Sequence, residues 1–153
     1  MFNVVLVEPQ IPQNTGNIAR LCAATEMQLL IVGQPGFSLS DRYLKRAGLD
    51  YWEFVRIKHI PDADTFFAQL DMARAYLLTT KAQRPYTHIR PQAGDSFLFG
   101  PENAGLPDGL LKAHPDACYT IPMKNPYVRS LNLATSVGIV MYHMLSLFGF
   151  GIE

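Results

Sequence analysis

Charge is scarce in this chain: Asp, Glu, Lys and Arg together make up 17% of its residues, below the roughly 25% usual for soluble proteins. What charge there is balances, 13 Lys and Arg against 13 acids in 153 residues, so net charge names no partner of either sign. Disorder is excluded all the same, because 48% of the residues are hydrophobic and nine Phe, seven Tyr and one Trp supply bulk for a core. The length is that of one domain, and residues 1–153 are expected to form one. With only two cysteines there is no disulfide framework; Cys22 and Cys118 lie in apolar stretches and read as buried small hydrophobes in a reducing cytoplasm. The opening MFNVVLVEP has neither a basic n-region nor a small-residue cleavage site, so no signal peptide is expected.

Several chemical signatures are also missing. Neither GxGxxG nor GxxxxGK[ST] occurs, which removes the main support for dinucleotide and P-loop sites. His59, His88, His114 and His143 are far apart, and neither cysteine has a His or Cys at metal-ligand spacing, so no metal site is expected. GxSxG is absent, which argues against an α/β-hydrolase.

Asp, Glu, Lys and Arg are absent from Leu131 to Ile152, a stretch long enough for a bilayer. Asn132, Thr135, Ser136, Tyr142, His143 and Ser146 punctuate it, and a lone span would leave the α/β pattern before it unexplained. The better reading is a helix apolar nearly all round and therefore buried all round, partly by a second subunit.

Short β-rich runs alternate with helical segments, the pattern of an α/β fold with a mostly parallel sheet flanked by helices. Strands are expected at Phe2–Val7, Gln28–Val32, Tyr76–Thr79, Phe97–Phe99 and Cys118–Ile121, continuous apolar runs that suit burial on both faces. Helices are expected at Thr15–Thr25, Asp41–Ala47, Ala63–Leu70, Pro107–Ala113 and Leu133–Phe148. Their starts are marked by Asn14 or Thr15, Ser40, Asp62 or Asp64, and Asn132.

The unusual loops follow strand ends: EPQIPQNTGN after the first strand, GPENAGLP after Phe99, and PMKNPYVRSLN after Ile121. In an open parallel sheet the carboxyl ends of the strands form the ligand edge, so these loops converge on one site. The helix opening Asn14-Thr15-Gly16-Asn17 presents N–H groups suited to a phosphate or carboxylate. Arg20, near the apolar face of that helix, calls for a partner, either a phosphate or a structural salt bridge to Glu8 or Glu102.

Taken together, the loops resemble the SPOUT superfamily of S-adenosylmethionine-dependent RNA methyltransferases, in its 2′-O-ribose branch. An Asn followed six residues later by Arg matches Asn14 and Arg20; FGxExxGL matches Phe99 to Leu106; IPM and S[LM]N[LV] match Ile121-Pro122-Met123 and Ser130-Leu131-Asn132-Leu133. The likeness covers the whole chain. The EPQIPQNTGNIARLCAAT opening, the segment RAGLDYWEF and the short length most resemble the minimal members, which methylate the wobble ribose, at cytidine or uridine 34, of certain tRNAs.

The resemblance implies a C-terminal part threaded into a deep trefoil knot, which general rules of chain connection would have rejected. It also implies a homodimer with no membrane association, and a cofactor site in the knot loops. Cofactor contacts carry over to Leu78, Thr79, Gly100, Glu102, Ile121, Met123, Ser130, Leu131 and Asn132, with Leu78, Ile121 and Met123 bracketing the adenine and Gly100 admitting close backbone approach. Arg20 matches the proposed base, and a phosphate-clamping or electrostatic role would serve as well, since a guanidinium is normally always charged. Asn14 would orient substrate or Arg20, Glu102 would anchor a loop and the charge of Arg20, and Ser130 and Asn132 would shape the reaction centre. Methyl transfer from a sulfonium needs positioning more than a metal.

For RNA contact the local charge distribution matters. Arg74, Lys81, Arg84 and Arg90 occupy a stretch from Met72 to Gly94 with no acid, Asp41 to Arg46 is a second basic cluster, and Lys124 and Arg129 flank Asn125-Pro126-Tyr127. Arg46, Lys124, Arg129 and Tyr142 are the expected RNA-binding residues, Tyr142 by resemblance. KNPYV, between Met123 and Arg129, is one residue longer than the pattern of the wobble-specific members, so another tRNA position or ribosomal RNA remains an alternative target. A noncatalytic RNA-binding dimer is the alternative outside enzymes.

Overall fold

The computed structural model describes residues 1–40, 42, 46 and 49–151. Among these residues six strands form one sheet in the order β3-β2-β1-β5-β4-β6: β1 Asn3–Val7, β2 Gln28–Val32, β3 Arg56–Ile60, β4 Ala75–Leu78, β5 Ser96–Phe99 and β6 Cys118–Tyr119. Every pairing is parallel, with Val4 opposite Leu29 on one side and Phe97 on the other. Among the described residues the sheet is flanked by the helices α1 Pro12–Thr25, α2 Ala63–Gln69, α3 Asp108–Ala113 and α4 Leu133–Leu147.

Strand alternation divides the core in two. Val4 and Leu6 point to a face covered by Ile18, Ala19 and Cys22 of α1 and by Val137, Val140, Met141 and Met144 of α4. Val5 and Val7 point to the other face, where Leu111 of α3 and Phe66 and Phe67 of α2 pack. A central strand buried on both faces is why β1 reads as an unbroken apolar run.

Because all strands run the same way, the loops after β1, β4, β5 and β6 share one edge of the sheet. The chain leaves β1 for β2 on one side and meets β5 on the other, and this reversal of direction opens a crevice. The segments after β4 and β6 are laced together there: the Thr120 amide donates to the Arg84 carbonyl (2.8 Å) and the Tyr86 amide to the Thr120 carbonyl (2.8 Å).

Several expectations need correction. β3 was absent from the sequence reading; its RIKHI alternates exposed Arg56 and Lys58 with half-buried Ile57 and His59, the mark of a sheet edge rather than a centre. β6 is shorter than Cys118–Ile121, though Thr120 adds an isolated bridge to Pro85. α1 begins at Pro12 with Ile11 as its N-cap, not Asn14 or Thr15, since proline fits the first helical turn. Asp62 and Asn132 do cap α2 and α4. The helix expected at Asp41–Ala47 lies largely outside the described residues. Within one chain α4 buries Leu133, Val137, Val140, Met141, Met144 and Leu145 and leaves Tyr142 and Leu147 exposed, a part of the helix whose burial the expectation assigned to a second subunit. No described helix is long and apolar enough to cross a membrane.

Candidate active site

At the crevice the motif residues are joined by hydrogen bonds. The Glu102 carboxylate accepts from the backbone amides of Gln10 (2.9 Å) and Ile11 (2.7 Å) and from the Asn14 side-chain amide (3.2 Å). Asn14 in turn accepts from Asn132 Nδ2 (3.0 Å), and Asn132 Oδ1 caps α4 by accepting from the Thr135 amide (3.1 Å). One chain of contacts therefore ties the loops after β1, β5 and β6. Glu102 does not occupy the Asn14 to Asn17 amides expected to hold an anion; it takes the two amides that precede α1 and the Asn14 side chain, while the Asn14 and Thr15 amides donate to the Ile11 carbonyl. Asn14 is buried to 7% exposure, as an amide with partners on both of its polar atoms tolerates.

Beside this network lies a cavity of about 350 Å³. Eight of the nine residues expected to contact the cofactor line it, Leu78, Thr79, Gly100, Glu102, Ile121, Met123, Ser130 and Leu131; Asn132 does not, its side chain being engaged by Asn14 and by the Thr135 amide. Its walls mix apolar side chains with backbone at strand ends, and its volume falls within the range of small-ligand sites, about 300–1,000 Å³. Gly100 is needed for a different reason than ligand approach: a Cβ there would overlap the Gly105–Leu106 backbone. Gly105, at φ +72°, takes the left-handed turn that brings that backbone close.

Arg129 also lines the cavity, which joins its expected RNA role to the cofactor pocket. Arg20 does not line it and is exposed, while Ile18, Ala19 and Cys22 around it are buried. The sequence reading placed Arg20 near the apolar face; a turn of about 100° per residue sets it instead beside exposed Gln13 and Asn17. Lys124, Arg46 and Tyr142 are exposed and outside the cavity. Thr80, Thr120 and Ser136 line the cavity without a sequence motif to mark them, and Lys81, expected only in the basic stretch facing RNA, lines it too. Thr80, Lys81 and Thr120 follow β4 and β6 directly, and position after a parallel strand was the available signal; Ser136 lies one turn beyond Asn132, to whose carbonyl its hydroxyl donates (3.1 Å).

The acid-free basic stretch divides by location. Arg74 is paired with buried Asp95 at the opposite, amino-terminal edge of the sheet, and Arg90 bonds the carbonyls of Thr87 and Ile89. Lys81 pairs with Asp108, and Arg84 stacks on the Tyr119 ring at 4.5 Å. Burial pushes the Cys22 thiol up to about 12 and raises Cys118 as well, so neither is a thiolate nucleophile at neutral pH. Among the described residues no group of three or more His, Cys, Asp or Glu is assembled for a metal.

A parallel sheet with its pocket among the loops at the reversal point, tied by Asn14, Glu102 and Asn132, accords with one class of enzyme. The chain belongs to the SpoU rRNA Methylase family, which it matches over residues 1–142. It is 42% identical over 151 residues to the tRNA (cytidine(34)-2'-O)-methyltransferase of Escherichia coli K12, covering 98% of this chain and 96% of that one. A solved structure described as "Structural insights into the 2-OH methylation of C/U34 on tRNA" superposes with a TM-score of 0.90 at 40% identity, covering 97% of each chain. An AdoMet-bound rRNA methyltransferase from Sinorhizobium meliloti shares the fold, with a TM-score of 0.81 at 24% identity over 95% of this chain and 56% of that one.

Proposed function

We propose that the protein methylates the ribose 2′-hydroxyl of the wobble nucleotide of tRNA, using S-adenosylmethionine, as a cytoplasmic homodimer of one catalytic domain with a knotted C-terminal part. The observation that carries the reading is the coincidence, at one sheet edge, of the cavity lined by eight of the nine expected cofactor residues and the hydrogen-bonded motif network that holds the ninth, Asn132. Near-complete coverage of relatives named for cytidine-34 methylation supports the choice of substrate. The lacing of the segments after β4 and β6 supports a knotted threading.

The residues fit the cofactor in kind. Leu78, Ile121 and Met123 offer apolar surface for adenine, and Thr79, Gly100 and Ser130 offer polar and backbone groups for ribose and the amino-acid tail. When bound, the cofactor supplies a methyl group on a sulfonium, already activated for in-line displacement. The chain's task is then to orient the hydroxyl and exclude water, since positioning supplies much of the rate of such a reaction. Asn14 and Asn132, held by each other and by Glu102, are fixed in orientation at the edge of the cavity. Arg20 acts as a fixed positive charge toward the RNA, consistent with its exposure and with a guanidinium's retention of its proton. Arg20→Ala is expected to abolish methylation while cofactor affinity stays within a few fold; an active Arg20→Ala protein would contradict this assignment.

The dimer reading rests on the apolar surface around the end of α4. Tyr142, Leu147, Phe148 and Phe150 are 46%, 49%, 49% and 44% exposed and gather at the end of one helix, the rings of Tyr142 and Phe150 lying 6.0 Å apart. The test of the whole reading is transfer of labelled methyl from S-adenosylmethionine to unmodified tRNA, with calorimetric cofactor titration alongside. Label in ribosomal RNA alone would move the substrate; cofactor binding with no transfer to any RNA would support the noncatalytic alternative.

A further inference from the structure

Adjoining the cavity is a second pocket, of about 520 Å³, that none of the sequence motifs enters. Its floor is apolar, formed by Ala82, Leu111, Pro115 and Cys118, of which Leu111 and Cys118 are buried. Lys81, Arg84 and Lys112 are exposed at its rim, and Asp108 is the one acid among the residues that line it, with Asp116 adjoining through its carbonyl bond to Arg84. Arg84 is held in place, its guanidinium over the Tyr119 ring and donating to the Asp116 carbonyl. The Lys81–Asp108 pair is more than half exposed on both sides, and a pair so solvated holds its partners weakly, leaving Lys81 able to turn to another anion. Cys118 is kept protonated by burial and its thiol lies toward the His114 carbonyl (3.3 Å), so the floor offers contact rather than reactivity.

The floor carries no aromatic ring, but Arg84, spread over Tyr119, offers a guanidinium plane on which a base can stack, with the apolar floor beside it and cations at the rim for the phosphate. The location selects RNA over a free anion. Thr79 and Lys81 line both this pocket and the cofactor cavity, so a strand whose ribose is presented at the cavity carries its neighbours past the rim. The polypeptide from Met72 to Gly94, which supplies Lys81 and Arg84, contains no acid to repel a phosphate backbone.

We infer that this pocket seats a nucleotide flanking the methylated one, with its phosphate held by Lys81 and Lys112 and its base stacked on Arg84 beside Leu111, Pro115 and Cys118. The inference rests on the tRNA methylation reading. It extends RNA contact beyond the residues matched by the family motifs.

The test uses the full chain, an unmodified tRNA transcript as probe, and two variants outside the methylation machinery, Lys112→Ala and Gln83→Glu. Affinity is measured by fluorescence anisotropy across a salt series, with kcat, KM, cofactor titration and melting temperature alongside. Lys112→Ala is expected to bind tRNA about 3–10-fold more weakly and to lower the log–log salt slope by about 1, the loss of one phosphate contact. Gln83→Glu, which adds a repelling charge to the rim, is expected to weaken binding further, and in both variants the effect falls on KM while kcat and cofactor affinity are retained. Wild-type tRNA affinity and salt slope in both variants, with an active wild type, would overturn the inference alone. A fall in melting temperature without a change in salt slope would also overturn it, by making Lys112 structural. A wild type that neither binds nor methylates tRNA would instead overturn the functional reading, and this inference with it.

Discussion

The carboxylate of Glu102 accepts hydrogen bonds from two backbone amides and one side-chain amide, so its removal takes a partner from the buried Asn14 amide and leaves the amides of exposed Gln10 and Ile11 to water. Hydrogen bonds to a charged group contribute roughly 1.5–3 kcal/mol each where they are dry, and water will recover part of the loss here. Glu102→Ala is therefore expected to lower stability by about 2–3 kcal/mol and to weaken cofactor binding, read by urea unfolding and calorimetry; a variant as stable as wild type would mean the network is ornamental. The sequence made Glu102 visible as a motif residue, but not its task. Its partner Gln10 is 92 positions away, and only the fold places the two loops side by side. Arg20 shows the opposite failure: the residue was legible and its setting was not, because its neighbours' burial was extended to a position on the other side of the helix.

Elements with strong patterns were readable and those at the margins were not. β1, β2 and β5 are buried on both faces, and their apolar runs announced them. β3 lies at the sheet edge, where exposed Arg56 and Lys58 break the run and blunt a free edge, so the feature that makes it a good edge strand hid it. The start of α1 was misplaced because no side chain caps it; Glu102, from another loop, takes up the amides just before it. For α2 the local signal sufficed. Asp62 accepts from the amides of Asp64 and Thr65 and from the Thr65 hydroxyl, which hold its carboxyl below the usual range. A carboxyl lowered on folding stabilises the native state above its unfolded value, near pH 3.9, and loses that contribution as pH falls through its lower folded value. The gap in melting temperature between wild type and Asp62→Asn should accordingly be full at pH 7 and shrink below about pH 4; a gap independent of pH would remove the cap's charge from the account.

For the molecule as a whole, periodicity gave the layering, helices over both faces of a parallel sheet, while the order of the strands came only with the structure. Nothing in a period specifies that β4 sits between β5 and β6, since that order follows from long-range pairing. The charge-free C-terminal stretch was readable as a buried helix, and the part of α4 left uncovered is what a second chain would bury. Sedimentation should find a species of twice the 17.1 kDa chain mass, and Leu147→Glu, which places a charge on the exposed end of α4, should shift it toward one chain. A wild type that sediments as a single chain at micromolar concentration would contradict the dimer. The central claim concerns chemistry at one nucleotide, and it is tested most directly by digesting tRNA after incubation with the protein and S-adenosylmethionine and mapping methylated nucleosides by mass spectrometry. The account predicts 2′-O-methylcytidine or 2′-O-methyluridine at the first anticodon position, lost with Arg20→Ala; a methyl group on a base, or on a ribose elsewhere in the tRNA, would contradict it.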